Sequence, residues 1–252
     1  MRNLVNPAPA PAPAPMARPC RVPIGVYLLC WALLAPEPVV AQGRTFDEGV
    51  LRVTIGGTEV AREEFSILQG RSFDGGTGYR LLATAFYPPR RTRVTIPSSV
   101  ELGPDSLPRL AQFGPIVGRD LVTLAQFGAL RLILQTHRST GRTFREYPGV
   151  TRNWVADDSL LSLYALPPGT ATGTVRLISP RQGSRVDFIL TDRGLEETMV
   201  GTHRRSLRHL VLSAATDVRH LWYDTDGRLM KVEIPARQLL AVREVNSAIP
   251  NR

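Results

Sequence analysis

The chain has 252 residues, and its 31 basic and 22 acidic residues give a formal net charge of +9. Its two cysteines, Cys20 and Cys30, both lie near the start of the chain. The remaining sequence therefore has no thiol for a disulfide or for a cysteine-ligated metal, and packing and backbone pairing must provide its stability.

The first 41 residues read as export signals. Residues 7–15 alternate Pro and Ala, which predicts an extended segment upstream of a true start at Met16. Arg18 and Arg21 then precede an apolar run at residues 24–35. Residues 39–41, Val-Val-Ala, put small side chains where signal peptidase requires them, just before a cleavage after Ala41. Twelve residues span only about 18 Å as a helix, too short for a membrane core of about 30 Å. We therefore expect a Pro/Ala leader at 1–15, a signal peptide at 16–41 cleaved near Ala41, and a single domain at 42–252.

Export bears on the meaning of the positive charge. A basic cytoplasmic chain would suggest nucleic acid as a partner, and a periplasmic or secreted location argues against that. Two interpretations remain: attraction to an anionic envelope surface, or ordinary solvated arginines scattered by codon bias. Residues 90–93 and 204–205 are the dense basic spots, which favours the second interpretation.

Period-two alternation of apolar and polar residues predicts strands along most of the mature chain. Gly56-Gly57 has the composition of a two-residue hairpin turn. Residues 107–137 fit a strand meander better than a helix, although Leu121 and Leu124 would also suit one helical face. The expected strands before residue 150 cover residues 51–55, 58–68, 79–87, 93–96, 107–113, 120–127, 129–137 and 142–147.

One helix is expected, at residues 157–166, where Asp157, Asp158 and Ser159 favour a helix start and Pro167-Pro168-Gly169 ends it. Six strands then follow at regular spacing, at about 173–179, 184–191, 195–202, 206–213, 218–224 and 228–234, with turns between them. A last strand covers residues 238–245. The expected fold is mainly β: a curved antiparallel sheet, forming a half-barrel or incomplete barrel, with one short helix covering its apolar concave face.

The C-terminal strands predict a largely apolar sheet face. If Asp217 lies in the turn between two of these strands and residues 224–227 form the next turn, strand pairing places the following side chains on one face of the sheet. We take these as the candidate ligand-binding residues: Leu207, His209, Val211, His220, Trp222, Met230 and Val232. Val218 and Ile234 share this face in the same alignment. The opposite face is expected to be mixed, with the polar or charged residues Arg208, Arg219, Tyr223, Lys231 and Glu233 and the leucines Leu210, Leu212, Leu221 and Leu229.

His209 and His220 would lie diagonally opposite each other near Trp222. They could form a proton-transfer pair, or they could be two partly buried histidines held by hydrogen bonds, which is the simpler interpretation. A metal site would need a third ligand, and no His-x-x-x-His or His-x-Glu spacing provides one.

Other motifs favour structural roles. Asp224-Thr225-Asp226-Gly227 has too few ligands for a calcium loop and suits a hairpin turn. Ser99 and Ser139 lack the Gly-x-Ser-x-Gly context of a nucleophile. We therefore assign no catalytic residue, no metal and no cofactor.

The segment from His220 to Pro235, followed by Val242-Arg243, resembles the closing hairpin of uncharacterised exported bacterial β-rich domains. These are loosely similar to half-barrel proteins of the lipoprotein-localisation (Lol) type, in which a curved sheet wraps a short helix and shelters acyl chains. The resemblance implies β architecture and export, and it transfers no functional residue.

The sequence thus favours a non-enzymatic envelope protein that binds an apolar or lipid-like ligand, with no integral membrane span in the mature chain. Two alternatives stay open. One is a structural or interaction module that pairs through an edge strand. The other is a hydrolase that uses His209 or His220.

Overall fold

The computed structural model of the protein describes residues 43–72, 75–114, 122–149, 152–166 and 172–244. The expected leader and signal peptide, residues 1–41, lie outside the described residues. Within the described ranges, no helix combines the length and the hydrophobicity that a membrane crossing requires.

The described residues form fifteen strands of one sheet. The strands are β1 Arg44–Ile55, β2 Thr58–Arg71, β3 Thr77–Tyr87, β4 Val94–Leu102, β5 Pro108–Phe113, β6 Val122–Phe127, β7 Arg131–Arg138, β8 Gly141–Pro148, β9 Asn153–Val155, β10 Gly173–Ser179, β11 Ser184–Val200, β12 His203–Ala214, β13 Asp217–Tyr223, β14 Leu229–Ile234 and β15 Leu239–Arg243. The expectation of a mainly β, curved and non-closed sheet is confirmed, and residues 107–137 are indeed strands where they are described.

The strand order runs from β8 down to β1 and continues through β15 down to β9, so β8 and β9 are the two edges. Neighbouring strands are antiparallel, except for the parallel pair β9 and β10. The sheet curls so that its two ends approach each other: the Arg185 guanidinium of β11 lies 4.0 Å from the ring centroid of Tyr147 in β8. A narrow cavity of about 50 Å³ also lies between Pro108 of β5 and Trp154 of β9. These contacts make the sheet barrel-like without closing its hydrogen-bond ladder.

Local sequence explains the tight turns. Gly56 and Gly57 both have positive φ, at 55° and 81°, as the two-residue turn between β1 and β2 requires. Asp224 closes the β13–β14 turn by accepting backbone N–H groups from Asp226 and Arg228, and Gly227 takes φ 77°. The interpretation of residues 224–227 as a hairpin turn is confirmed.

The inner face of the sheet carries the main core. We use "inner face" for the side whose buried side chains form the large cluster, with members from β1 through β15. Residues 157–166, here called the inner segment, pack into this cluster, and Leu160, Leu161, Leu163 and Tyr164 are all fully buried. The expectation that this segment covers the apolar face is confirmed.

Two element predictions need correction. The expected helix is only a short 3-10 helix, Leu161–Ala165, and its cap residue Leu160 makes no side-chain capping bond. Side chains from the strands hold its backbone instead, as described below. The expected strands at 184–191 and 195–202 are one long strand, β11, because the Asp192–Leu195 step is a β-bulge with Gly194 at φ 79° rather than a turn.

The predicted face also differs from the observed one. Trp222 pairs with Lys231 and Tyr223 pairs with Leu229, so Met230 is an extra residue in β14. The bulge returns Val232 and Ile234 to the inner face, where they join the main core. Trp222 and Met230 lie on the opposite, outer face in a separate cluster with Val200 and Leu207. The concave placement expected for the candidate residues was therefore wrong. The main core forms on the other side of β12 and β13, around Leu210, Leu212 and Leu221, and the bulge in β14 moves Val232 off the face of the other candidates.

Candidate functional site

The first candidate site is the outer-face cluster that the sequence singled out. His209 of β12 pairs directly with Trp222 of β13, and Val211 pairs with His220. The structure thus brings together six of the seven predicted residues on neighbouring strands of one face, and it separates Val232 from them. Whether they bind a ligand stays a prediction.

A line of ionisable groups in close contact crosses this cluster. Nδ1 of His209 contacts the carboxylate of Glu196 in β11, and its Nε2 lies 2.9 Å from Nδ1 of His220. One of these two facing nitrogens must carry the hydrogen and the other must accept it. Burial, and then the charge of His209, lower the pKa of His220, so the neutral imidazole is favoured there.

Stacked rings hold the line in place. The His209 and Trp222 ring centroids are 4.6 Å apart with an interplanar angle of 8°. Lys231 Nζ lies 4.2 Å from the Trp222 ring centroid and 3.2 Å from Glu233. The distal part of the β11–β12 hairpin covers the cluster, because its residues Val200 and Leu207 pack on Trp222 and Met230. The predicted residues therefore form a small packed core of their own. Among the described residues, no group of three or more metal-ligating side chains is placed to hold a metal ion.

The inner face offers little room beneath the inner segment. Glu63 of β2 is fully buried, and its carboxylate accepts the backbone N–H groups of Leu161 at 2.9 Å and Ser162 at 2.7 Å. Burial raises the pKa of Glu63 to about 7. Tyr87 and Tyr223 donate to the carbonyl oxygens of Ser159 and Tyr164, at 2.8 Å and 2.7 Å. Strands β2, β3 and β13 thus hold this segment tightly in the barrel.

A buried arginine completes this attachment. Arg219 of β13 donates to the Tyr164 hydroxyl and to the carboxylates of Asp158 and Asp217, at 2.9 Å and 2.7 Å. Arg237 also pairs with Asp158. Asp157 accepts the Ser159 N–H at 2.8 Å. The adjacent aspartates at 157 and 158 thus attach the inner segment to the strands and do not cap the helix that they were expected to start.

The second candidate site is a cavity of about 430 Å³ at one open end of the curled sheet, here called the mouth pocket. Its size falls within the roughly 300–1,000 Å³ of small-molecule sites. The pocket is lined by Phe46, Asp192, Gly194, Leu195, Arg208, Leu210, Tyr223, Asp224, Thr225 and Gly227.

Two bulges shape the mouth pocket. Phe46 is the extra residue in the β1–β2 pairing, and its ring meets Tyr79 edge-on at 5.2 Å. Leu195 follows the bulge of β11 and is 72% exposed. Leu210 and Tyr223 are buried and form the apolar floor. Sequence reasoning placed Leu210 and Tyr223 on the mixed face and took the bulge at 192–194 for a turn, so it missed this pocket.

Two of the charged side chains that line the mouth pocket, Arg208 and Asp192, form an ion pair. Arg208 donates from Nε and Nη2 to Oδ2 of Asp192, at 2.9 Å and 2.8 Å. Oδ1 of Asp192 accepts the Gly194 N–H at 2.8 Å. These hydrogen bonds, chiefly the one from Arg208, hold the pKa of Asp192 below its usual value.

A larger concavity of about 900 Å³ crosses the outer surface of β1 to β4. Charged side chains of both signs line it, including Glu48, Glu64, Arg205, Arg228 and Glu244. This lining suits water and salt better than an apolar ligand.

Fold and pockets together define a curved, non-closed β-sheet protein with an inner core segment and an apolar pocket at one end. No family model matches the chain, and no curated protein matches it. Among solved structures, it is similar to a β-barrel-like protein of a domain of unknown function (DUF1849) from Brucella abortus. The TM-score is 0.42 at 7% sequence identity, over 78% of this chain and 94% of that chain.

Proposed function

We propose that this protein is an exported, non-enzymatic binding protein of the cell envelope whose mouth pocket takes an apolar or lipid-like ligand. The observation that carries the proposal is the pocket itself: about 430 Å³ of space with Leu210 and Tyr223 as its floor and Phe46 and Leu195 at its rim. Apolar side chains that stay exposed at a pocket rim are unfavourable in water, and a bound apolar ligand would remove that surface from water.

Two other apolar regions offer a ligand less room than the mouth pocket. The inner segment fills the space under the middle of the sheet with fully buried side chains such as Leu161 and Leu163. The outer cluster is filled by its own residues, since Val200 and Leu207 pack against Trp222 and Met230. A ligand of useful size finds more room at the mouth than at either place.

Native mass spectrometry of gently purified protein tests the proposal. We expect a bound apolar species, or uptake of decan-1-ol by protein stripped of its ligand. Leu195→Asp should weaken the binding of decan-1-ol about tenfold or more, because it places a charge where the chain would lie. The matched control is Leu130→Asp, which changes an 89% exposed leucine outside the pocket and should leave binding unaltered. A ligand-free mass with no uptake of decan-1-ol would overturn the proposal.

Export has its own test. If residues 16–41 are a signal peptide, the envelope fraction of cells that express the chain should contain protein whose N-terminus is near Gln42. Full-length protein confined to the cytoplasm would contradict export and would leave the binding proposal standing.

A second candidate function is hydrolysis with His220 as a general base. The contacts from Glu196 through His209 to His220 favour it, because they orient a His220 imidazole that burial keeps neutral, which is the form a general base needs. The His220→Gln variant should then lose activity in an ester and phosphoester screen, while the exposed control His203→Gln keeps it. Activity that is absent, or equal in both variants, removes this candidate.

A further inference from the structure

The mouth pocket combines two carboxylates with one guanidinium. Both oxygens of Asp192 are occupied, Oδ2 by Arg208 and Oδ1 by the Gly194 N–H. The positive charge of Arg208 is therefore already compensated within the pocket wall. A second positive side chain does not occur among the residues that line the pocket.

Asp224, at the rim, adds a further negative charge. Its Oδ1 accepts backbone N–H groups from Asp226 at 3.0 Å and Arg228 at 2.8 Å, which fixes its position. Two carboxylates and one guanidinium line the pocket, so the lining has a formal net charge of −1. An anionic headgroup entering the pocket meets repulsion and must compete with Asp192 for Arg208, whereas an uncharged ligand meets neither obstacle.

We propose that the mouth pocket selects uncharged apolar ligands, such as long-chain alcohols or esters, and discriminates against the same chain ending in a carboxylate. Asp192 is the specificity-determining residue, because it occupies the guanidinium that would otherwise bind the carboxylate. This inference rests on the proposed function and adds the chemical class of the ligand to it.

The test compares decan-1-ol with decanoate, which share a chain and differ in the charge of the end group. Isothermal titration of the purified full chain at about pH 8 keeps the carboxylate ionised. We expect decanoate to bind on the order of tenfold more weakly than decan-1-ol. The Asp192→Asn variant keeps an oxygen for the Gly194 N–H and releases Arg208, so it should bind decanoate about tenfold more tightly than the parent chain.

The matched control is Asp187→Asn. Asp187 forms a similar pair with Arg176, at 2.6 Å and 2.7 Å, on the same strand β11 and outside the pocket. This variant should leave the ratio of the two dissociation constants unchanged. The inference is overturned if the parent chain binds both probes equally, or if both variants change the ratio alike; the proposed function then stands. If neither probe binds the parent chain, the proposed function fails and this inference falls with it.

Discussion

Glu63 on β2 and Ser162 on the inner segment are joined by a buried hydrogen bond of 2.7 Å from the Ser162 N–H to Oε2. The partners lie 99 residues apart in sequence. Oε1 of the same carboxylate accepts the N–H of Leu161. One fully buried glutamate thus satisfies the first free N–H groups of a helix that has no cap of its own.

Glu63 should make stability depend on pH. Burial raises its folded pKa from 4.5 to about 7, so the folded chain binds the proton more tightly than the unfolded chain does. The free energy of unfolding should therefore fall as the pH rises from about 4.5 to about 7, by roughly 3 kcal/mol. Urea denaturation across this range measures the slope. Glu63→Gln should remove that slope, and the exposed neighbour variant Glu64→Gln should retain it. A slope that survives in Glu63→Gln would contradict this assignment.

His220 should contribute a pH dependence of opposite sign. Its folded pKa lies below its usual value, so its contribution is present above the unfolded pKa and is lost as the pH falls through about 6.5 and below. An NMR titration of the imidazole should give a midpoint below that of a free histidine. His220→Gln should flatten the acid limb of the stability curve, whereas the exposed His203→Gln should not. Equal curves for the two variants would show that His220 does not titrate in this way.

Removing the Tyr223 hydroxyl should loosen the inner segment. Tyr223→Phe leaves the buried carbonyl oxygen of Tyr164 without its 2.7 Å donor, at a cost of about 1–3 kcal/mol in the free energy of unfolding. Thermal melting measures the loss. Tyr79→Phe is the control, because the Tyr79 hydroxyl has only a 3.4 Å contact with Gln69. Similar losses in both variants would refute a specific role for Tyr223.

Replacing Arg219 should cost more than removing any single hydroxyl. Arg219→Met leaves Asp217 without its 2.7 Å partner and weakens the hold on Asp158, although Arg237 still pairs with Asp158. Breaking such a buried network costs about 3–5 kcal/mol. Denaturant unfolding should show this loss. The control is Arg176→Met, since Arg176 is 28% exposed and pairs with the more exposed Asp187; it should lower the free energy of unfolding by less than about 1 kcal/mol. Equal changes in the two variants would show that burial adds nothing to the Arg219 network.

Local signals were enough to predict most of the fold. The turns at Gly56-Gly57 and at Asp224–Gly227 contain glycines with positive φ, which few other residues adopt. The strands beside these turns could therefore be placed from the sequence. A turn at Ala215 and Thr216, close to the turn expected at Asp217, sets the pairing of β12 with β13 and brings His209 next to His220.

Other features left no local signal. Glu63 stands among Glu59, Arg62 and Glu64, where a solvated strand face is the natural interpretation. Its burial depends on the inner segment reaching it from far along the chain. Met230 fits the apolar–polar alternation of a regular strand, and no neighbouring residue indicates that it is the extra residue of a bulge.

The sequence by itself determined the strand pattern, the turns and the chemical character of each face, because these depend on side-chain alternation and on backbone angles within a few residues. Only the tertiary structure decided which face of β12 to β14 lies inside, which carboxylate is buried and where a pocket stays open. Those outcomes depend on single-residue bulges and on contacts between segments far apart in the sequence, which form only once the sheet has curled.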